Sequence, residues 1–554
     1  MSAPAERISI RAVVAGFVLA VLLCGVNSYL TLSFGVIEEG PTIAALFFFA
    51  TFFLSRKKIT STEMVIVATM GSAGGSLGFI SNFYAAQVMT GTPYTLWEMT
   101  GFAVVTSLVG LMFVVPLREL LVMRENLPWP GSKAVESVIR ALVDRGDPKQ
   151  PIYLLVSSLL CIIWVVGNKD GGFGVFPYAS DLPLFGLAAF GASIAWSPFA
   201  IGGAYLMGFR TCVGFLFGAI VLLIMAPHTP VPAAPHRYVW PGIGFLVATG
   251  LTSMAIHWRV IVDSMRSLLR PAAKTTVAAE APVVSAKVLA ALCVVALGTA
   301  TAFGTLVMGL NVLLILILIV VGGFIQNVIA TRAAAQTAFN PARVMGVLLQ
   351  GVTAAAGGSS TAQNLAGAGF VAGSGAQAGN LTGDMAYGRW LGVPARWQFW
   401  TQTLTILPCA FVSAWVFSKI AHRLSLEGEG LPAPVAKMWA ATALIFDGST
   451  PMPAGAMQSM LIAGAIGVVY VLLESRPKLE RFMPSSIGLG LGLVLPIAYD
   501  LGFFLGGVLL FGVLGRGLKV RALTLTTIAV GAIVGEGLGG IMKPVLQMLK
   551  LVPG

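Results

Sequence analysis

Eight ionisable side chains stand inside or at the edges of strongly apolar sequence: Glu38, Glu39, Glu63, Arg210, Asp384, Arg396, Asp500 and Glu536. A charge at the centre of an apolar span costs roughly 3 kcal/mol or more unless it is paired. Each therefore needs a partner or a task, and together they are the candidates for solute binding and proton coupling. Glu38 and Glu39 lie in Gly35-Val36-Ile37-Glu38-Glu39-Gly40-Pro41, where glycine and proline interrupt two apolar runs. A broken helix there exposes backbone groups to a polar solute; the other reading is an aqueous turn with solvated carboxylates. Glu63 opens a run ahead of Gly74-Gly75, as a functional acid or as a helix-start carboxylate at the interface. Arg210 stands alone between apolar runs, either as a ligand for a solute carboxylate or as a cytoplasmic positive-inside residue. Asp500 and Glu536 sit deep in apolar sequence, where a proton relay and an ion pair with Arg516 or Lys543 are the two options. Asp384 and Arg396 flank a Gly-Pro-interrupted stretch and are expected to pair, with Arg396 in a structural or gating role.

Uncharged polar residues inside or at the ends of apolar runs form a second group: Asn27, Tyr29, Asn82, Tyr84, Ser359, Ser360, Gln363 and Asn364. Hydrogen bonding between helices uses such groups, and so does a cavity for a peptide-like solute. No metal constellation or resident cofactor is expected: the 4 histidines are scattered, and the 5 cysteines lie in apolar runs without a Cys-x-x-Cys. Gly488-Leu489-Gly490-Leu491-Gly492 lacks a preceding strand, and Pro130-Gly131-Ser132-Lys133 lacks the spacing of a phosphate loop. Any transport must then run on a gradient or on a partner subunit.

The elements that position these residues follow from composition. Of 554 residues 57% are hydrophobic and only 10% charged, too few charges to solvate the surface of a soluble chain this size. Soluble enzyme, nucleic-acid binder and disordered scaffold are excluded for the whole chain; the expected fold is an all-α polytopic membrane protein in the cell's inner (plasma) membrane. Glycine (65) and proline (30) fit, since both are commoner in membrane helices than in soluble ones. The run 12–32 is too long for a cleavable signal and reads as a first span. Eight spans are expected in the first half, at roughly 12–34, 41–54, 62–88, 99–117, 151–167, 183–206, 211–226 and 242–258, about 20 apolar residues being one crossing. Basic residues cluster after the second, fourth and eighth, which places the N-terminus in the cytoplasm.

The polar stretch 259–284 reads as a cytoplasmic linker between units 1–258 and 285–554. Later spans are expected near 285–304, 307–330, 343–370, 397–418, 437–447, 455–474, 484–513 (two) and 523–542. Four short elements recur in order: Ala73-Gly74-Gly75-Ser76 at 356–359, Leu127-Pro128-Trp129-Pro130 at 431–434, Gly214-Phe215-Leu216-Phe217-Gly218 at 502–506, and Gly250-Leu251 at 537–538. The expectation is about sixteen spans as two parallel eight-helix repeats, with 73–76 facing 356–359 across the repeat axis.

The chain resembles the oligopeptide transporter (OPT) family, its bacterial and yellow-stripe-like branch in particular. Asp384-Met385-Ala386-Tyr387-Gly388 followed by Gly392-Val393-Pro394-Ala395-Arg396-Trp397-Gln398-Phe399 is similar to the family's Asp-Leu-Lys-x-Gly and Lys-Ile-Pro-Pro-Arg-x-x-Phe run, matching at Asp384, Gly388, Pro394, Arg396 and Phe399. Gly392 replaces the lysine and Ala395 the second proline. Pro116-Leu117-Arg118 with Leu127-Pro128-Trp129-Pro130-Gly131-Ser132-Lys133-Ala134 resembles the family's Pro-Leu-Arg and Leu-x-x-Pro-x-Gly-x-Ala. The resemblance implies sixteen spans and proton-driven import of oligopeptides or metal chelates. The solute is then a small peptide or, in the second reading, a siderophore or metal–nicotianamine-like chelate. An intramembrane enzyme and a channel are the competing classes; a channel needs a constriction ring built by oligomer symmetry, against which a duplicated single chain argues.

Overall fold

Helix starts are encoded as capping residues. Thr60 and Thr95 accept from the N–H groups of Glu63 and Glu98, and those glutamates bond back to the threonine N–H, so two long helices open on capping boxes. Ser285, Asn311, Ser360 and Ser485 cap four more through side-chain oxygens. The computed structural model describes residues 8–34, 40–54, 59–125, 127, 129–145, 149–169, 172–182, 187–188, 191–225, 239–256, 259, 282–337, 342–358, 360–424, 431–448 and 455–552. Glu38, Glu39, Ser359 and nearly all of the 259–284 linker lie outside the described residues.

The first half carries α1 (Ile10–Phe34), α2 (Gly40–Leu54), α3 (Ser61–Phe79), α4 (Ser81–Met89) and α5 (Leu96–Leu117), the last running on as a π-helical segment over Arg118–Arg124. Then come α6 (Pro130–Arg145), α7 (Gln150–Val166), strands β1 (Ala179–Asp181) and β2 (Ser193–Ala195), α8 (Pro198–Met207), α9 (Phe209–Met225) and α10 (Val239–Ile256). The strands pair antiparallel, Ala179 opposite Ala195. The second half begins with α11 (Ala286–Leu306) and α12 (Val312–Ile317), which a π segment (Leu318–Ile325) joins to α13 (Gln326–Thr337). α14 (Ala342–Ala355), α15 (Thr361–Phe370), a π turn (Val371–Gly375), α16 (Ala376–Trp390), α17 (Ala395–Ile420) and α18 (Pro434–Asp447) follow. The chain closes with α19 (Ala456–Glu474), α20 (Pro477–Glu480), α21 (Ser486–Gly492), α22 (Ile497–Gly507) with a π segment to Gly517, and α23 (Ala522–Met548).

Among the described residues, nine helices are long and apolar enough to cross a membrane, and five shorter apolar helices accompany them. The fold is that of an all-α polytopic membrane protein. Ile152, Leu155, Val156, Leu159, Leu160 and Ile163 of α7 point outward, as do Leu461, Ile462, Ile466 and Val469 of α19. Such apolar faces suit lipid rather than water.

The span limits shift in three places. The apolar run 183–206 is divided between β2 and the ten-residue α8, because Ser197 and Pro198 start a new helix there. The run 343–370 breaks at a turn with Gly357 at φ +101°, and the next helix continues unbroken through the π turn to Trp390. The run 484–513 yields a seven-residue helix and a longer one, separated at Pro496.

Helices of the two halves interleave. α7 packs along α23 and α10 along α19; α8 meets α22 while α9 meets α21; α4 meets α18 while α6 meets α16. The third residues of the two Leu-Pro-x-Pro elements share one geometry. Trp129 and Ala433 are non-glycine residues at φ +44° and +39°. Each points its N–H at a carbonyl from the other half, Trp129 to Ala335 and Ala433 to Leu32, both at 2.7 Å.

Candidate functional site

α16 is the spine of a buried polar region. Gln377, Asn380, Asp384 and Tyr387 follow one another at three- and four-residue spacing and share one side of it. Two layers form around this helix. In the first, the π turn carries Gly373 and Gly375, which let neighbours approach. A Cβ on Gly373 would fall on the Thr106 hydroxyl of α5, and one on Gly375 would lie 3.0 Å from Gln326 Nε2 and 3.3 Å from Asn327 Oδ1 of α13. Gly110 of α5 lies against Gln377, its Cβ position 2.9 Å from the glutamine Cβ. From α3, Ser76 accepts from Asn380 Nδ2 (2.8 Å) and donates toward the Ala376 carbonyl (3.4 Å). Both amide atoms of Gln326 and Gln377, and Oδ1 of Asn327, are buried without a hydrogen-bond partner among the described residues. Burying such a group unpaired costs about 1–3 kcal/mol, so a cluster of them marks a place where something else bonds.

The second layer surrounds Asp384, which is 3% exposed. Gln398 of α17 donates through Nε2 to the Asp384 backbone carbonyl (2.8 Å) and to Thr69 Oγ1 (2.9 Å). Thr69 shares a 3.3 Å hydrogen bond with the Tyr387 hydroxyl. Gly388 is required by this arrangement, because a Cβ there would fall on the Gln398 carboxamide. The Asp384 carboxyl has the Ser72 and Tyr387 hydroxyls in hydrogen-bonding reach, yet its Oδ2 has no partner among the described residues. Gln402, one turn beyond Gln398, has an unpartnered carboxamide as well. At the edge of the region Arg332 of α13 is buried and paired with Glu125.

The other sequence candidates fall elsewhere. Arg396 is exposed in the first turn of α17 and forms no ion pair with Asp384 among the described residues; the Gly392-Val393-Pro394 turn directs it outward. Glu63 closes its capping box and grips Arg11 through both oxygens, at 2.5 and 2.6 Å. Arg210 binds Glu474 (2.6 Å), Glu480 (3.3 Å) and the Met483 carbonyl (2.8 Å), joining α9 to the end of α19. Glu536 accepts from Ser197 Oγ (2.7 Å) and the Phe199 N–H (2.8 Å), which makes it a cap on α8, with Lys543 the cation acting on it. Asp500 is wholly buried in the first turn of α22, and neither oxygen has a partner among the described residues. An Asp500 ion pair with Arg516 is ruled out by length, sixteen residues along one helix being about 24 Å.

Among the uncharged candidates, Asn82 bonds Thr31 (2.8 Å) and Tyr84 the Met99 carbonyl (2.7 Å). Ser360 caps α15, and Gln363 reaches the Gly309 carbonyl at 2.9 Å. Asn27 packs against Gly78, Tyr29 against Gly540, and Asn364 is buried with its amide unpartnered among the described residues. Asn27, Tyr29, Asn82, Tyr84 and Gln363 thus join neighbouring elements, and Ser360 serves the start of its own helix. Gly74 packs on Ala20 and Cys24 of α1, and Ser76 meets Ala376 and Asn380; Gly358 sits over Thr353 and Asn364 of its own turn. The element that 73–76 faces is therefore 376–380, not 356–359. Sequence reasoning missed Thr69, Ser72, Gln326, Asn327, Gln377 and Gln402. The adjacent Gln326-Asn327 inside an apolar run and the one-turn spacing of Gln398 and Gln402 were the available signals. No group of three His, Cys, Asp or Glu side chains placed to hold a metal occurs among the described residues.

Comparison with known proteins agrees with this architecture. Over 91% of this chain and 90% of the other, it is 20% identical to the "Putative oligopeptide transporter" YGL114W of Saccharomyces cerevisiae. A "Probable metal-nicotianamine transporter" of Arabidopsis thaliana is 26% identical over 256 residues, 39% of this chain and 38% of that one. A "Putative oligopeptide transporter" of Haemophilus influenzae is 24% identical over 196 residues, 35% of this chain and 30% of the other. The alignment thus spans about two fifths of the plant relative. The OPT oligopeptide transporter protein family matches residues 7–546, nearly the whole length, and the chain belongs to that family.

Proposed function

We propose that this protein is a secondary active transporter of the plasma membrane, N-terminus cytoplasmic, that carries small oligopeptides in symport with protons. One observation carries the reading: carboxamides without partners among the described residues lie buried around one carboxylate on α13, α16 and α17 of the second half, packed against α3 and α5 of the first. A peptide backbone offers N–H and C=O groups in equal number, so it can satisfy both kinds of orphan at once. Buried carboxyls supply the coupling step: a proton neutralises the group, the loaded site reorients, and the proton leaves on the cytoplasmic side. Asp384 and Asp500 have oxygens without a partner among the described residues and are the leading coupling groups; Glu536 is committed to a helix cap, and Glu38 and Glu39 keep their candidacy on sequence grounds. The reading needs no resident cofactor and no nucleic acid; its partners are solute, protons and the bilayer.

A second solute class is supported by the relatives named as metal-nicotianamine transporters: a metal chelate carried by the same mechanism. The reciprocal packing of α7 on α23 and α10 on α19, with the shared Leu-Pro-x-Pro geometry, supports two repeated units. We place them at α1–α10 and α11–α23, with the 259–284 stretch between. Uptake into proteoliposomes of labelled tri- and tetrapeptides, set against ferric chelates, tests the assignment. Peptide should accumulate under an acid-outside gradient and lose that accumulation with a protonophore. Accumulation of chelate alone moves the assignment to the second class, and gradient-independent flux of either solute refutes symport.

A further inference from the structure

Residues 197–218, which hold α8 and the start of α9, are related to residues 485–506 of α21 and α22 by a fixed offset of 288. Ser197 caps α8 by accepting from the Ala200 N–H, and Ser485 caps α21 by accepting from the Gly488 N–H. Gly208, at φ +87°, ends the first helix of one pair, and Pro496 stands at the same joint of the other. Phe215 and Phe503, equivalent under the offset, stack on each other with ring centroids 4.3 Å apart and planes inclined by 12°.

Where one pair has Cys212, the other has Asp500. The Cys212 thiol donates to two carbonyls, Ala204 at 3.3 Å and Gly208 at 3.4 Å, and the Ala204 carbonyl also accepts the Gly208 N–H at 3.2 Å. The equivalent acceptors for Asp500 are the carbonyls of Gly492 and Pro496. Proline has no N–H, so the Gly492 carbonyl lacks the backbone donor that its counterpart enjoys. The nearby N–H groups of Val494 and Leu495 both go to Leu491, at 3.0 and 2.9 Å, and among the described residues no backbone donor reaches the buried Gly492 carbonyl. Asp500 is wholly buried, and neither of its oxygens finds a donor among the described residues. An ionised carboxylate only accepts and satisfies none of these groups, whereas a protonated carboxyl is also a donor.

We propose that Asp500 is held protonated and donates its O–H to the Gly492 carbonyl, as Cys212 donates its S–H to Ala204, and that loss of this proton opens the joint between α21 and α22. This deepens the symport reading and rests on it for the transport consequence alone. When the proton leaves to water, the carboxylate faces a carbonyl oxygen with nothing between them, a buried repulsion that separates the two helices. α22 packs on α8, α9 and β2, so its displacement passes to them. The titratable groups on these elements are engaged elsewhere. Tyr205 of α8 lies against Phe511, Arg210 of α9 binds Glu474 and Glu480, and Cys212 keeps its own two carbonyls. Tyr178 meets Tyr499 through the hydroxyls, Glu536 holds the start of α8, and β2 and α21 carry no titratable side chain.

Difference infrared spectra of the full-length protein in detergent, unaltered minus Asp500→Asn, read the proton directly. At neutral pH the unaltered protein should show the band of a protonated carboxyl that the variant lacks. Thermal unfolding reads the bond: Asp500→Asn and Asp500→Cys keep a donor for Gly492, so both should melt above Asp500→Ala. An unfolded aspartate ionises at about pH 4. A folded carboxyl that keeps its proton above that pH makes stability fall as pH rises, so the unfolding constant of the unaltered protein should climb up to about tenfold per pH unit more steeply than that of Asp500→Asn. In proteoliposomes Asp500→Asn, fixed in the donor form, should lose gradient-driven accumulation of trialanine or ferric chelate, whichever the unaltered protein concentrates, and keep equilibrium exchange. Absence of the carboxyl band, or Asn and Cys variants that melt with Ala, overturns the hydrogen bond. Undiminished accumulation by Asp500→Asn overturns the release step. Gradient-independent uptake by the unaltered protein, with the band present, refutes symport and leaves the protonated joint standing.

Discussion

Gly388→Ala is the sharpest probe of the Asp384 layer. The added methyl would occupy the position of the Gln398 carboxamide, 2.6 Å from its Cδ and 2.8 Å from Nε2. Gln398 is fully buried and bridges Thr69 to the Asp384 carbonyl, so it has nowhere to go without giving up both bonds. Two hydrogen bonds at about 1 kcal/mol each, with overpacking of about 1–3 kcal/mol, oppose a helix-propensity gain of about 1 kcal/mol from removing a helical glycine. The net expectation is a loss of about 2–4 kcal/mol. Thermal unfolding in detergent reads it, and a double-mutant cycle with Gln398→Ala isolates the cause. In the Gln398→Ala background the methyl has room, so Gly388→Ala should there be neutral or stabilising by up to about 1 kcal/mol. A single variant of wild-type stability, or a double variant that sums the two losses, refutes the packing argument.

Two further variants separate structural from functional carboxylates and cations. Glu536→Ala leaves the Ser197 hydroxyl and Phe199 N–H buried without an acceptor and should lower stability by about 2–4 kcal/mol, while Glu536→Gln keeps one acceptor oxygen and should lose less than half of that, both read by detergent unfolding. Gln as destabilising as Ala would show that charge, not capping, holds α8. Arg210→Ala breaks a partly exposed network and should cost only about 1 kcal/mol, with uptake retained and the difference shrinking in high salt. Loss of uptake at unchanged stability would return Arg210 to the solute path.

The helical class, the lipid-facing composition and the Leu-Pro-x-Pro elements were legible in the sequence, because apolar length and proline act locally. Which small-residue elements face each other was not legible. Ala73-Gly74-Gly75-Ser76 and Ala356-Gly357-Gly358-Ser359 are alike in letters, yet one is the middle of a buried helix and the other a turn with Gly357 at positive φ. Small-residue runs repeat wherever helices pack closely, so identity there carries little information on register. For the site, charge advertises itself but partners do not. Glu536 looks like a coupling acid until Ser197 and Phe199, more than 300 residues away in sequence, place their donors on it. The carboxamides had the reverse fate: uncharged, they leave no mark on a hydropathy profile, and only the packing of α5, α13, α16 and α17 shows them buried and unpartnered.

The same long-range bonds constrain how reorientation can happen. Ala433 is tied to the end of α1 and Trp129 to the end of α13, so each half holds a helix of the other by a buried backbone hydrogen bond. α1 also packs along α17, and α5 along α11. Swinging residues 1–258 against 285–554 as rigid bodies would break all of these together. The packing divides along another line: α7–α10 associate with α19 and α21–α23, while α1–α6 associate with α11–α18. Contacts between these two sets are confined to a few helices, chiefly α1 with α23 and α2 with α7. Each set draws helices from both halves, and the Asp384 layers lie wholly within the second. A motion that changes access to Asp384 while sparing the interleaved bonds is a displacement of one such mixed set relative to the other, with the α1–α23 and α2–α7 seams as the surfaces that slide.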